Sequence, residues 1–273
     1  MIKIDNEIIK IEHFPDNTQR LNSLPNIHKI SDITFSWKYE SDEELVTLVF
    51  LVNHLRDNGF KGNFILYLDY CPNSRMDRTH HNNEVFTLKW FCKIINDLKF
   101  STVVILDPHS NVTPALLNNV VVTQPTFYIN QVIETIGKNN LVLYYPDFGA
   151  YKKYSALLPN IQFCYGKKIR DWDSGKILGL DIENEMNINL NDKTILMVDD
   201  IIAYGGSMYF GALKLKELGV GNIYAYATHT ENSILDAEKG TLIKSLENNT
   251  VERLFTTNSL FNGKHEKITV MEV

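Results

Sequence analysis

Short apolar runs recur along the chain, and each is broken off at once by polar, glycine or proline residues. Phe64–Leu68 leads into DYCPNSRMD, Thr102–Leu106 into DPHS, Leu141–Tyr145 into PDFG, and residues 194–198 into DDIIAYGGS. Runs of this length bounded by turn-forming residues predict buried strands. Between them lie segments of helical period: Glu43–Asp57 carries Leu45, Leu48, Val49, Val52 and Leu55 at spacings of three and four, and residues 87–98 repeat the pattern. A further helix predicted over 208–218 ends at Gly219, a residue suited to the left-handed position after a helix C-terminus. The N-terminal MIKIDNEIIKIEHF alternates apolar and charged residues and reads as a strand. Strands alternating with helices predict an α/β architecture built on mainly parallel sheets flanked by helices. In such sheets ligands sit beyond the carboxyl ends of the strands, where all four polar segments fall.

With 273 residues the chain is long enough for two domains of ordinary size. Near residue 122 the segment LLNNVVVTQPTF shifts from helix-like to extended composition and carries Pro125, so domains are expected over 1–121 and 122–273. A hydrophobic share of 44% and a charged share of 22% are those of a self-sufficient globular fold. The 33 acidic residues exceed the 27 basic ones, which argues against nucleic-acid binding because no basic excess exists to neutralise a phosphate backbone. Anionic ligands then require local basic sites. Cys71, Cys92 and Cys164 are odd in number and widely spaced, which predicts reduced thiols rather than a zinc site or a disulfide framework. No apolar run is long enough for a membrane span and no secretory leader is recognisable, so a soluble, cytoplasmic protein is expected. His80 and His81 read as surface residues.

The most informative segment is ILMVDDIIAYGGSM at 195–208. A buried strand delivers two adjacent carboxylates, then a glycine pair and a hydroxyl residue just ahead of a helix. Asp199 and Asp200 can accept hydrogen bonds from vicinal sugar hydroxyls, while Gly205, Gly206 and Ser207 let backbone N–H groups close on a phosphate. The plain alternative is a strand-to-helix turn that uses glycine and serine for capping and aspartate for solubility. Two carboxylates following a buried strand favour the ligand site.

This segment resembles the ribose-phosphate loop of type I phosphoribosyltransferase folds, whose common form reads VDDIIDTGGT. PDFGAYKK at 146–153 resembles the PDAGGxKR segment of phosphoribosyl diphosphate synthetases, LDPHS at 106–110 their DLH, and CPNSRMDR at 71–78 their YPYARQDR. FPDN at 14–17 resembles FPDGE, ATHT at 227–230 resembles THG, and TTNSL at 256–260 resembles TNT. On these segments, all in family order, the chain is identified as a member of the phosphoribosyl diphosphate synthetase family.

The resemblance implies two tandem type I phosphoribosyltransferase-like domains, ATP bound in the first and a ribose phosphate in the second. It implies a Mg²⁺-dependent diphosphokinase that moves the β,γ-diphosphate of ATP to the anomeric hydroxyl of the sugar and releases AMP. Arg75 and Asp77 would hold ATP, with Phe14 and Asp16 lent by a neighbouring subunit of a homo-oligomer that is at least a dimer. His109 would lie by the ATP phosphates and a metal ion, and Asp147 would bind Mg²⁺. Lys168 and Arg170 match a KxR pair on a mobile catalytic loop that neutralises the transferring diphosphate. Asp199 and Asp200 would hold the ribose, and Ala203, Tyr204, Gly205, Gly206 and Ser207 its 5-phosphate.

Several positions depart from the family pattern. Asn17 and Thr18 stand where glycine and glutamate are usual, and Met76 replaces glutamine. Ala203 and Tyr204 stand where DT normally precedes GGT, which leaves three readings: tolerated drift, loss of activity, or a different 5′ substituent on the ribose. Losing an acidic side chain and gaining an aromatic one suits ribose 5-phosphate unchanged or, equally, ADP-ribose, the acceptor of a branch in viruses of bacteria that rebuilds NAD. A catalytically inactive regulatory subunit is the alternative from another class. A phosphoribosyltransferase that consumes the diphosphate would share the DDxxxxGG loop but leaves FPDN, SRMDR and DPH without a purpose.

Overall fold

The structure, a computed structural model, describes residues 1–25, 32–170 and 177–273, and the side chains of all of these except 168–170 and 177–179. The chain divides into two compact units, Met1–Gln124 and Pro125–Val273.

The first unit opens with a hairpin, β1 (Ile2–Ile4) and β2 (Glu7–Ile8), followed by a two-stranded ribbon, β3 (Glu12–His13) and β4 (Gln19–Arg20). The N-terminal stretch is therefore not one strand. Asp5 and Asn6 take φ of 47° and 74°, the left-handed pair that a tight two-residue hairpin turn demands and that short polar side chains tolerate. There follow β5 (Ile33–Trp37), α1 (Glu43–Asp57), β6 (Phe64–Leu68), α2 (Thr87–Asp97), β7 (Thr102–Leu106), α3 (Val112–Leu116) and β8 (Val120–Thr123). The sheet order is β2-β1-β5-β6-β7-β8, with β5 to β8 parallel and the N-terminal hairpin added antiparallel at one edge. Leu48, Leu51, Val52 and Leu55 of α1 and Leu88, Phe91, Cys92 and Ile95 of α2 are buried, which is the periodicity seen in the sequence turned onto one core. The extended residues 120–123 pair with β7 as the edge strand of this sheet, and the division between units follows them.

The second unit comprises α4 (Thr126–Ile136), β9 (Leu141–Tyr145), α5 (Phe148–Tyr154), β10 (Phe163–Arg170), β11 (Ile177–Glu183) and β12 (Thr194–Ile202). These are followed by α6 (Gly206–Glu217), β13 (Ile223–Thr230), α7 (Leu242–Glu247), β14 (Arg253–Thr257) and β15 (Ile268–Met271). Its sheet runs β11-β10-β9-β12-β13-β14-β15, parallel throughout except for β11. All five residues of β9 are buried, as expected of a central strand covered on both faces. Adjacent residues of β9 serve opposite faces: Tyr144 packs with Met197, Ala212 and Leu215, and Tyr145 with Tyr154, Val198 and Tyr226. The three cysteines are buried free thiols.

Candidate active site

In the second unit the carboxyl ends of β9 and β12, two paired parallel strands, carry the acidic residues singled out in the sequence. The polar character of Asp199 and Asp200 suggests a strand ending at 198, yet β12 continues to Ile202. Its pairing with β13 persists through Asp199↔Ala227 and Ile202↔Thr230, and this ladder satisfies the backbone that a loop would have exposed. Asp200 is buried and Asp199 partly so; the Asp200 N–H donates to Asp199 Oδ1 at 2.9 Å. Lys153, near the end of α5, places Nζ 3.7 Å from Asp200 Oδ2. Enclosure of its carboxyl, then the charge of Asp200 and a hydrogen bond with it, push the pKa of Asp199 well above the usual aspartate range, and Asp147 adds to the effect.

The chain then turns through Ala203–Gly205. Gly205 adopts φ 83°, ψ 20°, and α6 begins at Gly206 rather than 208, because this left-handed residue redirects the backbone into the helix earlier than the apolar spacing indicates. A Cβ on Gly205 would stand 2.3 Å from the Cβ of Leu242, so only glycine lets the turn approach α7 this closely. The turn is pinned by its own carbonyl: Tyr204 O accepts from the N–H groups of Thr241 and Leu242 at 2.9 and 3.2 Å and from Thr241 Oγ1 at 2.8 Å. A cavity of about 400 Å³ is lined by Asp199, residues 201–208 and Thr241, and the ring of Tyr204 is 40% exposed. Carboxylates beside a helix N-terminus suit a sugar phosphate: hydroxyls on the acids, the phosphate on the helix end.

Asp147 caps α5, its Oδ1 accepting from Gly149 N at 2.9 Å and Ala150 N at 3.1 Å. It lines a second cavity of about 520 Å³ with Phe148, Gly149, Tyr165, Gly166, Lys167 and Glu183. Among the described residues no three His, Cys, Asp or Glu side chains gather to enclose a metal. One carboxylate at a roomy cavity fits a hydrated Mg²⁺, which relies on one or two carboxylates together with substrate phosphates and keeps several waters. Lys168 and Arg170 belong by backbone to β10, where 165–170 pair antiparallel with β11, rather than to a loop. Their side chains lie outside the described residues. The ATHT and TTNSL segments meet: the buried His229 places Nδ1 2.7 Å from Ser259 Oγ, and Thr257 Oγ1 donates to Thr228 O at 2.6 Å.

In the first unit the SRMDR and DPHS segments also converge. Arg78 Nε and Nη2 donate to Asp77 Oδ1 and Oδ2 at 2.8 and 3.1 Å. That hydrogen bonding holds the Asp77 carboxyl below its usual range; partial burial opposes it, and a bond from Ser110 and the charge of His109 reinforce it. Arg75 is exposed and His109 half-buried. Phe14 and Asp16 sit in the turn between β3 and β4, both exposed; the Arg20 guanidinium lies 5.7 Å from the Phe14 ring, and Asp16 Oδ1 accepts from Thr18 N and Oγ1 at 3.0 and 2.7 Å. Those two bonds lower the Asp16 pKa.

Sequence reasoning gave no role to Lys153 or Thr241. Lys153 was within reach, because it lies in the last turn of a short helix capped by Asp147. Thr241 carries no signal in the sequence, since its role comes from contact with a turn 37 residues away.

No family model matches the chain. It is 25% identical over 234 residues to the ribose-phosphate pyrophosphokinase of Saccharolobus solfataricus, covering 84% of this chain and 77% of that one. With the ribose-phosphate pyrophosphokinase of Sulfurisphaera tokodaii the identity is 26% over 273 residues, covering 97% and 89%. Among solved structures, phosphoribosylpyrophosphate synthetase from Mycobacterium smegmatis superimposes with a TM-score of 0.75 at 16% identity, covering 97% of this chain and 86% of that one. The fold is thus that of a two-unit α/β protein with phosphoribosyltransferase-like sheets. The chain is thus similar, over most of its length, to ribose-phosphate pyrophosphokinases and, in fold, to a phosphoribosylpyrophosphate synthetase.

Proposed function

We propose that this chain is a Mg²⁺-dependent diphosphokinase that transfers the β,γ-diphosphate of ATP to the anomeric hydroxyl of a 5-phosphorylated ribose and releases AMP. The observation that carries this reading is the run of Asp199 and Asp200 at the end of β12 into the glycine turn at the start of α6. The two carboxylates accept from the sugar hydroxyls and fix the ring, and the N–H groups at the start of α6 hold the 5-phosphate. The anomeric oxygen attacks the β-phosphorus in line; the bond from that phosphorus to the α-phosphate oxygen breaks, and AMP leaves with the electron pair. Mg²⁺, held by Asp147 and the substrate phosphates, supplies charge neutralisation when bound. Lys168 and Arg170 carry the cationic charge that meets the transferring group, and Arg75, Asp77 and His109 hold ATP. The exposed turn with Phe14 and Asp16 serves the ATP site of a neighbouring copy, so the enzyme works as at least a dimer. Among the described residues no helix is long and apolar enough to cross a membrane.

The exposed ring of Tyr204 beside the loop cavity favours a second acceptor next to ribose 5-phosphate. With alanine at 203 the loop presents no negative charge at that position to a second phosphate, and a base stacked on the tyrosine gains about 1–3 kcal/mol, as base–aromatic pairs do. ADP-ribose meets both features. The deciding experiment incubates the protein with ATP, Mg²⁺ and either acceptor and measures AMP. Release with ADP-ribose at a kcat/KM matching or exceeding that with ribose 5-phosphate assigns the nucleotide sugar; release with ribose 5-phosphate alone assigns ordinary phosphoribosyl diphosphate synthesis. Release with neither overturns the enzymatic reading and leaves a regulatory subunit.

A further inference from the structure

Tyr144 is fully buried in the centre of the second sheet, yet its hydroxyl has no hydrogen-bond partner among the described residues. Its neighbours in register are Cys164 on β10 and Met197 on β12. Two residues further along those strands on the same face come Gly166 and Asp199, so the phenol extends toward the carboxyl edge where the sugar-binding acids stand. Two glycines make room for it. A Cβ at Gly166 would lie 2.5 Å from the Tyr144 hydroxyl and 2.5 Å from Pro146 O, and a Cβ at Gly211 would lie 2.6 Å from the same hydroxyl. The hydroxyl therefore sits between the peptide that leads into Asp147 and the helix whose N-terminus closes on the phosphate. Burial, and after it Cys164, Asp147 and Asp199, keep the phenol protonated and hence a donor.

A buried hydroxyl without a partner is a net cost to the fold, and a phenylalanine of the same shape would remove it. Its location gives that cost a purpose. We propose that Tyr144 is a positioning residue for the acceptor site, its hydroxyl donating to the Asp199 carboxylate when the sugar binds and so fixing that carboxylate toward the sugar hydroxyls. Asp199 already accepts from the Asp200 N–H. A second donor from Tyr144 holds the side chain from both sides and leaves its remaining lone pairs for the ligand. The inference rests on the acceptor reading given above and concerns a residue outside the loop that reading uses.

The test is Tyr144→Phe, with Tyr145→Phe as control. Tyr145 is the adjacent residue, equally buried, with a hydroxyl that also lacks a partner among the described residues, but it packs on the opposite face with Tyr154 and Tyr226. Binding is read without ATP as the shift in melting temperature produced by ribose 5-phosphate and by ADP-ribose, and kinetics as AMP release. Tyr144→Phe is expected to melt at or above wild type when unliganded, to lose most of the acceptor-induced shift, and to raise the acceptor KM about tenfold or more with a smaller change in kcat, as loss of one hydrogen bond to a charged group implies. Tyr145→Phe is expected to keep wild-type binding and KM. Wild-type binding and KM in Tyr144→Phe would overturn the inference, as would a lower unliganded melting temperature, which would make the hydroxyl a structural contact. If the wild type itself binds neither acceptor, the functional reading falls and this inference with it.

Discussion

Lys153 and Asp200 approach to 3.7 Å, with the lysine side chain 21% and the aspartate side chain 8% exposed. A pair so largely withdrawn from water is expensive to break, because the surviving carboxylate has no solvent to fall back on. Lys153→Met is therefore expected to lower stability by about 3 kcal/mol, the lower edge of the range for removing one partner of a buried pair. It should also raise the acceptor KM, since Asp200 loses the charge that orients it. Urea denaturation and AMP release measure the two effects, and an unchanged midpoint with an unchanged KM would show the pair to be incidental.

Asp199 makes the opposite contribution at neutral pH. Its pKa is raised in the folded protein, chiefly by enclosure and then by Asp200, so the native state holds a proton over a pH range in which the unfolded chain has released it. The stability associated with that proton is fully present below the usual aspartate value of about 4 and is lost as pH rises through the raised one. Asp199→Asn removes this loss. The variant is expected to gain melting temperature over wild type at pH 7 to 8, with the gain shrinking as pH falls toward about 4, where both forms are neutral. A difference between the two proteins that does not vary with pH would contradict the assignment of strain to this carboxyl. Acceptor binding should be lost throughout, the mark of a side chain kept for function at a cost in stability.

The regular elements were legible because their signals are local. Leu48, Val52 and Leu55 of α1 fall on one helical face in the sequence and on one buried face in the structure, and Phe64–Leu68, Thr102–Leu106 and Leu141–Tyr145 are strands within the bounds their polar endings suggest. Polarity misleads at Asp199 and Asp200, where the ladder with β13 carries the strand on through two carboxylates. It also hides the turn at Asp5 and Asn6, because alternation on either side reads as one continuous strand. In the site, the glycine turn at 205–206 announces itself, whereas Lys153 beside Asp200 depends on how a short helix packs beside a strand 40 or more residues away. Tyr144 is invisible for another reason: within LVLYY it reads as one more apolar residue of a central strand, and only the space left by Gly166 and Gly211 shows where its hydroxyl ends.

The two glycines of the loop are not equivalent, and alanine distinguishes them. Gly205 combines a left-handed backbone with a Cβ position 2.3 Å from the Cβ of the fully buried Leu242. A residue with a Cβ pays about 1–2 kcal/mol for that backbone alone, and the clash then forces α7 or the turn to move. Gly206 has φ outside the left-handed region, and the nearest atom to its Cβ position is Thr241 Oγ1 at 3.8 Å, an ordinary contact. Gly205→Ala should lower the melting temperature and abolish acceptor binding, and Gly206→Ala should melt near wild type. Equal melting temperatures for the two variants would show that the turn readjusts without cost.

Asp147 caps α5 and is proposed above to hold Mg²⁺, and two substitutions separate these tasks. As N-cap of α5 it needs only an oxygen that accepts from Gly149 and Ala150, which asparagine supplies about as well as aspartate. As a ligand for Mg²⁺ it needs negative charge, which asparagine lacks. Asp147→Ala removes both and should be less stable than Asp147→Asn by about 1 kcal/mol, the usual effect of deleting a cap. Both variants should need several-fold more Mg²⁺ for half-maximal AMP release. The requirement should stay finite, because no cluster of three ligating side chains exists among the described residues and the substrate phosphates must supply most of the hold on the cation. A Mg²⁺ titration of AMP release paired with thermal melts distinguishes the two tasks. If Asp147→Asn keeps the wild-type Mg²⁺ dependence while Asp147→Ala loses stability, the residue is a helix cap and the cation is held elsewhere.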